Sequence, residues 1–178
     1  CTDWVTGTRI QRWAEARDLC VVMPSGDNAF YVDRPETFNN YGKFIGEELV
    51  EITRRMFPLS DKREDTFIAG LSMGGYGAMK AALTYPDRFG GAASLSGTLD
   101  IADVTRNRPM DEWKGIFGFE MENQGELKGT CHDLFALAQG LHDEGRAFPH
   151  IYLWCGEQDR GHEYSERFSA CATLKRDF

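Results

Sequence analysis

No stretch of apolar residues in this 178-residue chain approaches the roughly 20 needed to cross a bilayer, so no transmembrane helix is expected. Runs of Lys or Arg are missing too. With 28 acidic against 20 basic side chains the formal net charge is -8, and a surface of that sign repels a phosphate backbone, which argues against nucleic-acid binding. Cysteine is sparse: Cys1, Cys20, Cys131, Cys155 and Cys171 form no C-x-x-C pair, and their number is odd. Most have apolar neighbours, as in Leu19-Cys20-Val21, which reads as free buried thiols in a reducing cytosol and hence a cytoplasmic protein. A disulfide in a secreted chain is the alternative, and no feature favours it. Metal-ligand spacing is absent as well. Cys131-His132-Asp133 and His162-Glu163 are adjacent residues, not H-E-x-x-H or C-x-x-C, so neither a metal nor another cofactor is expected. The first residue is Cys1, with no initiator Met and no signal-like start, as in a processed product or a fragment.

What is present is ordinary globular composition, 42% hydrophobic and 27% charged, at a length suited to one domain over residues 1–178. Thr8 to Arg17 has helical spacing (Ile10, Trp13, Ala14). Leu19 to Met23 is a short apolar run stopped by Pro24-Ser25-Gly26, which reads as a buried strand and its exit turn. Tyr41 to Phe57 carries Ile45, Leu49, Ile52 and Met56 on one face of an amphipathic helix closed by Pro58. The alternation then repeats: strand Thr66 to Leu71, helix Gly74 to Tyr85, strand Gly91 to Ser96, strand Ile151 to Cys155, helix Glu163 to Lys175. Strands alternating with helices predict an α/β fold, a mostly parallel sheet with helices on both faces. Between about 99 and 149 the pattern weakens into a helical and loop-rich insert, with short helices at Met110 to Phe119 and Leu134 to His142. Inserts at strand carboxyl ends build the substrate site of such sheets. Trp113, Phe117 and Phe119 could wall that site or simply belong to the core.

Gly70-Leu71-Ser72-Met73-Gly74 matches G-x-S-x-G. Alone the pattern is weak, but here it follows a buried strand and opens a helix, the setting that the chemistry requires. A nucleophile in a tight strand-to-helix turn leaves no room for a Cβ two residues to either side, and Gly75 and Gly77 extend the small-residue packing. The helix N-terminus favours developing negative charge, with the Met73 amide as an oxyanion donor. A dinucleotide fingerprint is excluded because Lys80 stands where a third Gly or Ala is needed. In the order Ser, acid, His, the acid belongs just past a late strand, where Asp159 is the better candidate and Glu157 the reserve. His132, His142 and His150 precede Asp159. His162 follows it by only three residues on the same loop and reads as a solvated histidine. The catalytic His is therefore expected to be absent from this chain.

The nonapeptide Gly70 to Ala78, with Tyr85-Pro86-Asp87-Arg88-Phe89 after it, resembles the esterase D family. That family takes in S-formylglutathione hydrolases, tributyrin-type carboxylesterases, feruloyl esterases and mycolyl transferases. Met23-Pro24-Ser25-Gly26, Phe30-Tyr31-Val32-Asp33, Glu47-Glu48-Leu49, Ser94-Leu95-Ser96-Gly97 and Cys155-Gly156-Glu157-Gln158-Asp159 are similar to it too, so the resemblance covers nearly the whole chain. It implies an α/β-hydrolase fold incomplete at both ends, with Ser72 as nucleophile, Asp159 as triad acid and Met73 as oxyanion donor. A second oxyanion amide would lie before Cys1 and the histidine after Phe178. Leu71 and Tyr76 look more like the tributyrin branch, which implies a small-molecule short-chain acyl ester as substrate. Family members are often oligomers, so a homo-oligomer is a further implication. Transfer of the acyl group to an alcohol, or a non-catalytic binding role, are the rival functions.

Overall fold

The computed structural model describes residues 2–107, 111–118 and 127–176. The chain enters through α1 (Asp3–Gly7) and α2 (Ile10–Glu15). Ile10, Trp13 and Ala14 of α2 face Leu19 and Val21 across a shallow apolar cleft. Leu19 to Met23 itself is no strand, contrary to the expectation from its apolar run: it is extended, pairs with no ladder, and leaves Leu19, Val21 and Val22 largely exposed. An apolar run becomes a buried strand only where a neighbouring strand takes its amides and carbonyls, and among the described residues none lies beside it. The thiols differ from expectation for a related reason. Cys20 and Cys131 are exposed and Cys155 and Cys171 half-buried, and none of these four is in a disulfide; apolar neighbours in sequence do not bury a residue whose segment lies on the surface.

Asp27, Asn28, Phe30 and Tyr31 all take positive φ, and this tight turn leads into a small antiparallel pair, β1 (Asp33–Arg34) and β2 (Asn39–Asn40). The predicted long helix follows as α3 (Tyr41–Lys43), a π turn (Phe44–Glu48) and α4 (Leu49–Met56). Its apolar face is broken. Ile45 is buried, but Ile52 is 45% and Met56 67% exposed, because a π turn inserts a residue and rotates everything after it by about 100°.

The sheet is β3 (Phe67–Leu71), β4 (Gly91–Leu95) and β5 (His150–Trp154), parallel and in that order, with Leu71, Leu95 and Trp154 in register. α5 (Met73–Thr84) packs on β3 and β4 and is buried on all sides from Gly75 to Leu83. Glycine and alanine at half of its positions let the strands approach closely, and the π turn and the helix before β5 pack on it as well. Its Lys80, largely buried, sends Nζ to the Tyr31 carbonyl at 3.2 Å. Between β4 and β5 come α6 (Ile101–Asn107), α7 (Asp111–Phe117) and α8 (Leu134–Asp143). Asp133 caps α8 by accepting from the amides of Phe135 and Ala136 at 2.9 and 3.3 Å. α9 (His162–Arg176) ends the described chain, held to the insert by Arg167 against Asp100 at 2.8 Å. Phe67, Leu71, Tyr152 and Trp154, at alternate strand positions, stand exposed on the sheet face turned from α5. Among the described residues no helix is long and apolar enough to cross a membrane.

Candidate active site

β3 ends at Leu71, and the chain turns sharply at Ser72, with φ 55 and ψ -116, a conformation that non-glycine residues seldom adopt. The Ser72 amide donates to the Leu95 carbonyl at 2.9 Å, and its own carbonyl accepts from Gly75 and Tyr76 at 3.0 and 3.2 Å, which starts α5. The side chain is exposed. Met73 is the first residue of α5, so its amide lies in the turn where a helix has no internal acceptor.

The glycines around the turn have different roles. A Cβ on Gly70 would stand 2.1 Å from the Gly74 carbonyl oxygen, so strand and helix touch there. A Cβ on Gly74 would meet only the Tyr31 hydroxyl, at an ordinary 3.8 Å; the steric demand expected on both sides of Ser72 thus falls on Gly70. Gly75 and Gly77 are tightly packed as well, against Ser94 Oγ at 2.5 Å and the Tyr31 ring at 2.1 Å from their Cβ positions.

Asp159 lies in the loop between β5 and α9. Its amide donates to the Gly156 carbonyl at 2.9 Å, its carbonyl accepts from the His162 amide at 3.1 Å, and its Oδ1 accepts from the Gly161 amide at 2.7 Å. The Gly161 amide first, and the Ser96 hydroxyl next, hold its carboxyl below the usual aspartate value, with a smaller contribution from the nearby His162. Hydrogen bonds to the charged form favour it. Ser96 appears in the sequence only as part of a strand-ending motif. The available signal was that a serine leads a glycine at the end of β4, one strand across from Ser72. Glu157, the reserve acid, is exposed on the same loop.

The histidines are scattered. His150 opens β5 in register with Phe67, at the far end of the sheet from Ser72 and about 16 Å away along the strands. His132 is buried, its ring edge-on to Phe117 and its carbonyl accepting the Tyr76 hydroxyl at 2.9 Å. His142 sits 3.2 Å from Asp143, and His162 is 3.9 Å from Glu166 across one turn of α9. Trp113 and Phe117 belong to a buried aromatic cluster with Phe30 and Tyr76; Phe119 lies outside the described residues.

The sequence matches the model of the Esterase family, described as "Putative esterase", over residues 1–172. It is 38% identical over 165 residues to an acetyl esterase of Caldicellulosiruptor saccharolyticus, across 88% of this chain and 60% of that protein. The chain thus spans about three-fifths of the length of that relative. Among solved structures, the fluorophosphonate-binding serine hydrolase FphF of Staphylococcus aureus superposes with a TM-score of 0.84 at 31% identity, over 98% of this chain and 67% of that one. The S-formylglutathione hydrolase FrmB of the same organism gives 0.81 at 32% identity, over 97% and 66%. The parallel sheet and its helices are accordingly those of an α/β-hydrolase.

Proposed function

This chain belongs to the Esterase family, and from that premise we propose that it is the core of a serine carboxylesterase acting on short-chain acyl esters through an acyl-enzyme on Ser72. The observation that carries the reading is the Ser72 turn. A serine exposed to solvent is held in a strained backbone conformation between β3 and the amide end of α5, with Gly70 packed directly on the Gly74 backbone.

In the proposed reaction Ser72 Oγ attacks the acyl carbon while a histidine takes its proton. The carbonyl π pair moves to oxygen, where the Met73 amide is the first oxyanion donor and a second amide lies upstream of Cys1. Collapse of the tetrahedral intermediate expels the alcohol, protonated by the same histidine, and water then releases the acid by the reverse sequence. Asp159, kept ionised by the Gly161 amide, orients the histidine and stabilises its cationic form. Of this chain's four histidines, His132 is buried against Phe117, His150 opens β5 at the end of the sheet away from Ser72, His142 lies on α8 beside Asp143, and His162 follows Asp159 by three residues and faces Glu166 on the first turn of α9. The base is therefore assigned to a histidine that the whole protein supplies from outside these residues.

The substrate class follows the relative named as an acetyl esterase. The test is hydrolysis of p-nitrophenyl esters of increasing acyl length by the whole protein, with and without an added alcohol. Turnover that is highest for the shortest chains and yields free acid supports the reading. Preference for long chains, or diversion of most product into a new ester, contradicts it.

A further inference from the structure

Ser72 and Ser96 leave neighbouring strands in the same way. Each follows the last residue of its strand, each has a left-handed backbone (φ 55 and 48), and each sends its amide to the strand beside it, Ser72 to the Leu95 carbonyl at 2.9 Å and Ser96 to the Trp154 carbonyl at 2.7 Å. The two serines therefore stand side by side on one row of strand ends, and the next position in that row begins the loop that carries Asp159.

Gly97 pins this second turn from both directions. Its Cα lies 2.9 Å from where a Cβ on Gly75 would be, in the first turn of α5 behind Ser72. Its carbonyl oxygen lies 3.3 Å from where a Cβ on Gly161 would be, and Asp159 Oδ1 lies at the same 3.3 Å from that point. The Ser96-Gly97 pair is thus wedged between the turn that holds the proposed nucleophile and the loop that holds the proposed acid. A glycine at 96 would adopt this backbone without strain; the serine there instead carries a hydroxyl on the turn whose Gly97 packs against the Asp159–Gly161 loop, and that hydroxyl favours the charged form of Asp159.

We propose that Ser96 is a positioning residue for Asp159, its hydroxyl holding the carboxylate on the strand-end row that carries Ser72, an assignment that rests on reading Ser72 and Asp159 as members of one triad. Gly161 fixes the acid from within its own loop; Ser96 ties that loop to the sheet. Ser96 touches no substrate and acts only through Asp159.

The test is a double-mutant cycle in the whole protein, with p-nitrophenyl acetate as substrate and thermal melting as the check on folding. Ser96→Ala is expected to lower kcat roughly 10-fold, the loss associated with one hydrogen bond to a charged group, with KM unchanged. Ser96→Gly should lose as much although its backbone is unstrained, and it stands in for the alanine variant should that one fail to fold. On an Asp159→Ala background the same substitutions should cost nothing more. Full activity in Ser96→Gly, or an equal loss with and without Asp159, would overturn the assignment while leaving the esterase reading intact. Wild-type kcat in Asp159→Ala or Ser72→Ala would instead remove the triad reading and Ser96's role with it.

Discussion

Gly70 and Gly74 touch backbone to backbone: a Cβ on the first would lie 2.1 Å from the carbonyl oxygen of the second. Neither group is a flexible side-chain end, so the contact fixes how β3 meets α5 and with it where Ser72 points. Gly70→Ala is expected to destabilise the fold by about 1–3 kcal/mol through overpacking and to lower esterase activity beyond what the stability loss explains. Gly74→Ala, whose Cβ has room, should be the milder substitution. Urea melts and kcat/KM for both variants check the order, and a reversed order would contradict it.

The Tyr76 hydroxyl, fully buried, donates to the His132 carbonyl at 2.9 Å. Tyr76→Phe leaves that carbonyl without its donor at a cost of about 1–3 kcal/mol. Equilibrium denaturation should show the loss, while Ser72 labelling persists in the folded fraction. An unchanged midpoint would mean that the bond contributes nothing net.

Ser94 Oγ is buried without a hydrogen-bond partner among the described residues, pressed between Gly75 and Gly97. Removing an unsatisfied polar atom stabilises, so Ser94→Ala is expected to raise stability by up to about 1 kcal/mol. A clear fall in melting temperature would show that the hydroxyl is satisfied after all.

Asp159 should titrate below its ordinary value of 3.8, chiefly because the Gly161 amide donates to it. The sign follows from linkage: with the folded pKa below the unfolded one, the stabilisation is fully present above the unfolded value and is lost as pH falls through the folded one. Carboxyl carbon chemical shifts against pH measure it directly. Because the leading cause is a backbone hydrogen bond and not an ion pair, added salt should move the midpoint little. A midpoint at or above 3.8 would contradict the described loop geometry.

The parts of the fold legible in the sequence were those whose signal is local. The run from Phe67 to Leu83 announces strand, turn and helix because apolar residues, then glycines, then small residues follow one another in a spacing only that arrangement satisfies. The place of Asp159 in the loop after β5 was legible for a similar reason, being a short step beyond an unmistakable strand. Leu19 to Met23 failed because a strand needs a partner and periodicity cannot say whether one is there. Ile52 and Met56 failed because a single π turn, where the Tyr85 ring crowds Gly46, shifts every later residue around the helix without leaving a mark on the spacing. The placing of Ser96 beside Asp159 depends on strand register, which the sequence states only after the pairing is known.

The most direct measurement is the intact mass of the whole protein before and after a fluorophosphonate probe, with Ser72→Ala alongside. Attack by Ser72 Oγ on phosphorus with loss of fluoride predicts a single adduct in the wild type and none in the variant. No adduct in the folded wild type, or an adduct that survives Ser72→Ala, would contradict the account at its centre.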